Sequence, residues 1–256
     1  MNCSISSIHY CPVKSLSFQS IKSCIIKKNL GMLNDRVFAF SRGLDYEKAK
    51  LIEKNPNERK LNYFLTLKNS PLLNKYKFHY YEKELKLYQN NLLILSISSE
   101  DKNKYDIICD KLIEFEKSLS KPIYLLKNEK YLFFDTTHSN KVSNSISLIN
   151  INSIEDFKKQ LNESIEFDRF RGNLYINGLD AWEEINWINK IITINKVPFM
   201  VTENIPRCSA TNLKPNTDKF TINLPVALKR YYNHIYMGVY ITPLGDGVIK
   251  KGDKII

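Results

Sequence analysis

The residues best suited to chemistry lie in Ile205-Pro206-Arg207-Cys208-Ser209-Ala210-Thr211-Asn212-Leu213-Lys214-Pro215, where an arginine directly precedes a cysteine in a strand-like, turn-bounded segment. A guanidinium beside a thiol favours the thiolate, the form that attacks electrophiles and binds soft metals. The dipeptide alone leaves a second reading open, a small buried cysteine beside a surface arginine. Other segments must decide between them.

Only seven of the 38 basic residues are arginine: Arg36, Arg42, Arg59, Arg169, Arg171, Arg207 and Arg230. Where lysine is the default, an arginine marks a need for the planar fork that grips phosphate or carboxylate, or else a plain surface charge. The five cysteines, Cys3, Cys11, Cys24, Cys109 and Cys208, form no Cys-x-x-Cys pair and no zinc or iron-sulfur spacing. Their odd number argues against a secreted disulfide scaffold.

At 256 residues the chain can bury a full core as one large domain or two small ones. Fifteen tyrosines and 13 phenylalanines with only 8 glycines lean toward sheet. The formal charge of +11 invites a nucleic-acid or membrane-surface role. The lysines are scattered, however, no basic run reaches five residues, and no aromatic ladder interleaves with arginine, so neither partner is expected. No run is long and apolar enough to span a bilayer, and the first residues lack a signal-peptide pattern. The expectation is a soluble, reduced, cytoplasmic protein.

The elements that must position these residues are mostly strands. Ser4 to Tyr10 alternates as a first strand, Phe18 to Lys27 reads as a second, and Asp35 to Phe40 as a third, with Lys14 and Arg36 as solvated strand ends or as ligand contacts. Leu44 to Arg59 is a polar connection with a short helix. Lys75 to Tyr81, Leu85 to Gln89 and Leu92 to Ser98 form a hairpin and its continuation. Asp101 to Ser120 is the clearest helix, with Tyr105, Ile108, Leu112, Phe115 and Leu119 on one face. Strands at Ile123 to Leu126 and Tyr131 to Phe134 precede a polar loop, Asp135 to Asn140, suited to a polar ligand or to a surface turn. A capping-box-like Ser153-Ile154-Glu155-Asp156 opens a second helix. Strands at Lys190 to Val197, Phe199 to Glu203, Ser209 to Leu213, Tyr236 to Thr242 and Val248 to Ile255, with a short helix at Pro225 to Tyr232, complete the chain. The reading is mainly β within an α+β class, barrel-like, with a few covering helices.

In this order the segments resemble a MOSC protein, the molybdenum-cofactor-sulfurase C-terminal family, preceded by its N-terminal β-barrel domain. The marks are Tyr10-Cys11-Pro12-Val13-Lys14-Ser15, Asn34-Asp35-Arg36, Phe170-Arg171-Gly172-Asn173 with Gly178-Leu179-Asp180-Ala181-Trp182, Arg207-Cys208 through Thr211 to Pro215, Gly238-Val239-Tyr240 and Gly252-Asp253. The resemblance implies an N-terminal β-barrel over residues 1–120 and a MOSC domain over 121–256. It also implies a molybdenum cofactor, Mo-molybdopterin, with Cys208 as metal ligand and catalytic residue. Lys14, Ser15, Arg36, Arg171, Asn173 and Arg207 match positions that surround the cofactor; Thr136, Thr137 and Tyr240 are looser matches. Gly172 stands where many relatives carry proline.

Two functions follow from that resemblance. One is a molybdenum oxidoreductase resembling the mitochondrial amidoxime-reducing component, reducing a small N-hydroxylated substrate with electrons from a separate protein, since no haem or cluster motif is present. The +11 charge suits an acidic electron donor. The other is a cofactor carrier or sulfur-transfer protein with Cys208 as persulfide site. A barrel that binds no cofactor is the third, plainer reading.

Overall fold

The computed structural model describes residues 3–134 and 144–256. In chain order the strands are β1 (Ser4–Tyr10), β2 (Gln19–Ile21), β3 (Ser23–Lys27), β4 (Gly31–Met32), β5 (Phe38–Phe40), β6 (Tyr76–Tyr81), β7 (Glu84–Gln89) and β8 (Leu92–Ser98). They continue as β9 (Leu125–Lys127), β10 (Ile146–Asn150), β11 (Leu174–Asn177), β12 (Ile191–Ile194), β13 (Val197–Pro206), β14 (Tyr236–Pro243) and β15 (Gly247–Lys250). The helices are α1 (Tyr46–Lys54), α2 (Tyr105–Phe115), α3 (Ile151–Leu161) and α4 (Leu224–Tyr232). The fold is a mixed α+β type dominated by sheet, as the sequence suggests.

The chain divides into two compact units, one of Met1–Tyr10, Ser20–Leu33 and Asn144–Ile256, the other of Cys11–Gln19 and Asn34–Ser143. The first is built on a seven-stranded sheet of order β12-β13-β14-β10-β11-β1-β2. The stretch 252–256 joins the far strands of that order. Ile5 N–H donates to the Asp253 carbonyl at 2.9 Å, Ile255 N–H to Cys3 at 3.0 Å, and Thr193 and Ile256 exchange bonds of 2.8 and 3.0 Å. Bridges Ser4↔Lys254 and Ile194↔Ile255 match these contacts, so backbone pairing runs from β12 through β13, β14, β10, β11 and β1 and back to β12. A ring of this kind leaves few unpaired edge groups.

Two helices cover one side of this sheet. Ile154 and Phe157 of α3 and Leu224 and Leu228 of α4 pack with Ile149, Phe170, Tyr175 and Met237 into one fully buried cluster. The helix α3 begins at Ile151, with the Asn150 side chain accepting from Asn152 N–H, and ends at Asn162 in the left-handed region. Ser153 is therefore inside the helix rather than its cap, and its hydroxyl serves Glu184 instead, at 2.9 Å to both carboxylate oxygens. Gly238 in β14 is required by its backbone: φ is +79°, and a Cβ there would collide with the Leu148 carbonyl.

The second unit holds the meander β6-β7-β8 and the pair β5-β9. Its core gathers Ala39, Ala49, Ile52, Phe64, Leu126 and Phe133. Arg59 is buried in it, donating to the carbonyls of Ile52 (2.9 Å), Glu53 (3.1 Å), Tyr131 and Leu132 (both 2.9 Å). The expected strand at 131–134 is instead a turn: Phe134 N–H donates to the Leu132 carbonyl at 3.0 Å, and Phe133 N–H reaches Arg36 at 2.8 Å. The expected long helix also shortens, to Tyr105–Phe115, with Glu116 as its C-cap.

Candidate functional site

Cys208 lies just beyond the end of β13. Arg207 N–H donates to the Ile235 carbonyl at 2.8 Å as the chain leaves the sheet, and a 3-10 turn over Ser209–Asn212 follows. Both the N–H and the hydroxyl of Thr211 donate to the Cys208 carbonyl, at 3.0 and 2.8 Å. This capped turn replaces the strand expected at Ser209 to Leu213, because these bonds are satisfied locally rather than across a sheet.

The Arg-Cys pair is inverted relative to the plainer sequence reading: Cys208 is exposed and Arg207 is buried at 8%. Arg207 directs Nε to the Met237 carbonyl at 2.9 Å, Nη1 to the Phe170 carbonyl at 2.6 Å, and Nη2 again to Met237. Burial holds its pKa below the ordinary guanidinium value, with the phenols of Tyr240 and Tyr175 the foremost opposing influences. Arg169, 5% exposed, acts beside it. It donates to the Asn212 carbonyl (3.2 Å), the Thr221 hydroxyl (2.9 Å) and Glu166 (2.6 Å). Asn212 in turn accepts from Leu224 N–H at 2.9 Å, at the start of α4. Two arginines thus clamp the loop carrying Cys208 to the loop carrying Arg171.

Arg171 closes a 3-10 turn over Phe167–Phe170 in the left-handed region, at φ 55°, and is half-buried. The following Gly172 explains the departure from proline: its N–H donates to the Tyr175 hydroxyl at 3.0 Å, which proline cannot do. Asn173 is fully buried and serves the sheet. Its carboxamide accepts from Ser147 N–H (3.2 Å) and Oγ (2.9 Å) and donates to the His9 carbonyl (3.1 Å). Tyr240 is half-buried in β14, opposite Ser147 in register. A residue that sequence reasoning missed is Asn204 of β13, whose Oδ1 is buried and has no partner among the described residues. Nothing in the sequence distinguishes it from the chain's many other asparagines.

Lys14, Ser15 and Arg36 belong to the second unit. Lys14 is 3% exposed, donates to the Phe134 carbonyl at 3.0 Å and lies 5.6 Å from the Phe64 ring. Arg36 is paired with buried Asp35 and sits over the rings of Phe18 (5.5 Å) and Phe134 (5.2 Å). Neither is a solvated strand end. Ser15 and Arg36 both adopt left-handed backbone, at φ 60° and 54°. Asp35 and Arg36 therefore precede the strand, which starts at Phe38. Thr136, Thr137 and the loop to Asn140 lie outside the described residues.

The chemistry open to the first unit's cluster is that of an accessible sulfur nucleophile or ligand. The other four cysteines are buried, and burial pushes the Cys3 thiol up to about 11 and the Cys109 thiol up to about 12. Among the described residues no group of three or more His, Cys, Asp or Glu could hold a metal. Any metal bound through Cys208 would therefore need most of its ligands from elsewhere, as a metal carried by an organic cofactor has.

No helix among the described residues is long and apolar enough to cross a membrane. The chain has no significant match among curated proteins. Among solved structures it is similar to YiiM from Geobacillus stearothermophilus, 18% identical over 43% of this chain and 52% of that one, with a TM-score of 0.35. The match thus spans about half the length of the YiiM chain. The YUAD protein from Bacillus subtilis is 9% identical over 100% of this chain and 94% of that one, with a TM-score of 0.44. The model of the MOSC domain matches residues 135–256, the part that carries Arg171, Arg207, Cys208 and Tyr240. Residues 135–256 are a MOSC domain, a family associated with molybdenum-cofactor binding.

Proposed function

We propose that this chain holds a molybdenum cofactor through Cys208 and reduces small N-hydroxylated compounds with electrons from a separate redox protein. The observation that carries the reading is Cys208 itself, the exposed thiol among five cysteines, fixed on the MOSC domain by two buried arginines. The donor set fits the group. A thiolate suits a metal already held by sulfur, and the half-buried Arg171 guanidinium suits an anionic tail. Asn204 Oδ1 is a buried acceptor without a partner among the described residues, matched in kind to a pterin N–H. When bound, the cofactor supplies the two-electron chemistry by which an N–O bond is cleaved and its oxygen leaves as water.

The chain's own residues hold and orient. Cys208 anchors, the Arg169 and Arg207 bonds keep its loop from shifting, and Arg171 faces the anionic part. Lys14, Ser15 and Arg36 are assigned an anion-binding role within their own unit. The charge of +11 favours an acidic electron donor.

The test uses cofactor-loaded protein, a reduced viologen as electron source and an N-hydroxylated base as substrate. Wild type is expected to release the amine, and Cys208→Ser to lose turnover by about a hundredfold or more, since it lacks the ligand to the reacting centre. Cofactor that binds and passes to an acceptor apoenzyme without turnover would replace this reading with that of a carrier.

A further inference from the structure

The outer face of the strand pair β3-β15, in the first unit, leaves aliphatic side chains in solvent. Burial alternates along both strands, so that Cys24, Ile26 and Ile249 point inward while Ser23, Ile25, Lys27, Val248 and Lys250 point outward. On a half-solvated sheet the outward positions are ordinarily polar. Here Ile25 and Val248 stand directly opposite each other, 43% and 51% exposed. Leu33, 38% exposed, adjoins them, its N–H donating to the Ile25 carbonyl at 3.0 Å. Exposed aliphatics are common as singles, but three brought together make a patch.

Exposed lysines surround that patch. Lys22 and Lys251 meet at one end of the ladder, where Lys251 N–H donates to the Lys22 carbonyl at 3.0 Å, and Lys250 lies opposite Ser23. Lys27 and Lys28 stand at the other end, about 20 Å of strand from Lys22. Lys196 comes in from the side, because its neighbour Asn195 donates through Nδ2 to the Val248 carbonyl at 2.9 Å. Counter-charge is scarce: residues 20–33 contain no Asp or Glu, Asp253 is buried and accepts from Lys250 N–H at 2.8 Å, and Asp246 pairs with Lys27 at 2.9 Å. No carboxylate among the described residues pairs with the side chains of the other five lysines. Along the sequence these lysines are singles and pairs far apart, and only the pairing of β3 with β15 gathers them, so no basic run marks the surface.

We propose that this face docks the protein reversibly on an anionic lipid surface. Aliphatic side chains enter the headgroup boundary while the lysines, on long apolar stems, keep their charges among the phosphates. No arginine stands in these segments, so the cations are mobile point charges without the planar fork that fixes one carboxylate or base in one orientation. A diffuse, fluid negative surface suits such charges. A nucleic acid has no use for the aliphatic centre and would find no aromatic ring there on which to stack a base. The position also leaves the thiol free. Gly247 lies against Val197, at the start of β13, whereas Cys208 follows the end of that strand, up to about 30 Å away. The docking face does not depend on the cofactor reading, since it needs nothing bound at Cys208.

The test is sedimentation of the full chain with vesicles of phosphatidylcholine, either pure or containing about a third phosphatidylglycerol. Wild type is expected to bind the anionic vesicles, to ignore the neutral ones and to be released at about 0.5 M salt. Replacing Lys22, Lys250 and Lys251 together by glutamine should weaken binding about a hundredfold, at about fivefold for each lysine. The same change at Lys68, Lys104 and Lys117, exposed lysines of the second unit, removes equal charge and should leave binding within about twofold of wild type. Ile25→Ser with Val248→Ser keeps every charge and should weaken binding about tenfold or more. Thermal melts confirm that each variant is folded. Equal losses from the two lysine triples, or no binding by wild type, would overturn the proposal. So would binding untouched by the two serines, or equal binding to polyglutamate or an RNA oligonucleotide, which would make the face a general polyanion site.

Discussion

At the scale of single residues, the site separates bracing from reacting groups by burial. Arg207 is placed inside and holds two carbonyls, whereas Cys208 is placed outside. Arg207→Leu leaves the Phe170 and Met237 carbonyls without their donor, at about 1–3 kcal/mol for each orphaned acceptor. Its melting temperature should fall by several degrees, whereas Cys208→Ala, at an exposed position, should change stability by no more than about 0.5 kcal/mol. Equal destabilisation by both would remove the distinction. The sequence makes Arg207-Cys208 visible as a pair but not which member faces inward, because that follows from where the carbonyls of Phe170 and Met237 end up. Those are set by residues 37 and 30 positions away.

At the scale of elements, positions are dictated by close approach and by buried polar groups. Gly238→Ala combines a left-handed φ with a collision against β10, and should cost at least about 2 kcal/mol in a denaturant melt. Gly252→Ala, also at positive φ but with nothing within 4 Å of the added methyl, should cost only about 1 kcal/mol. Glu184 is fully buried beneath α3, hydrogen-bonded to Ser153 and Asn150, and burial raises its carboxyl above the usual range. The folded state then binds this proton more tightly than the unfolded chain, so its contribution is greatest at acid pH. It is lost as pH rises from the unfolded value near 4.5 toward the raised folded one. Stability of Glu184→Gln relative to wild type should therefore climb across that window, and a flat difference would refute the assignment.

The same scale shows what was legible in the sequence. Long periodic segments were: β1, the β6-β7-β8 meander and α4 fall where alternation and helical spacing place them. The central strand β10 was not, because Ile-Ser-Leu-Ile-Asn is buried at all five positions and so has no inside-outside alternation. The turn after Cys208 was also missed, since Thr211 bonds the Cys208 carbonyl while looking like a strand former. Among the site residues, Asn173 matched a motif yet turns out to be fully buried between strands, and Asn204 carried no motif at all.

At the scale of the whole molecule, residues 252–256 complete the hydrogen-bonded ring of the unit that carries Cys208. Ile255 is 4% exposed at that closure. Ile255→Asp puts a charge there and should destabilise the unit by about 3 kcal/mol or more, read as increased hydrogen exchange at the donating amides of Thr193, Ile5 and Ile256. Unchanged exchange at these amides would mean that the closure adds little to the fold. The excess of positive charge belongs to this scale too, because a net field acts on encounter with charged molecules and not on the chemistry at the thiol.

The central claim is that Cys208 holds a molybdenum cofactor, and metal content tests it most directly. Wild type and Cys208→Ala are purified from a host that makes the cofactor, and molybdenum and pterin are measured per chain. The account predicts about one of each in wild type, as one metal ligand per site requires, with metal lost or readily stripped from the variant. Wild type free of both, or a variant that keeps its molybdenum as firmly as wild type, would contradict it.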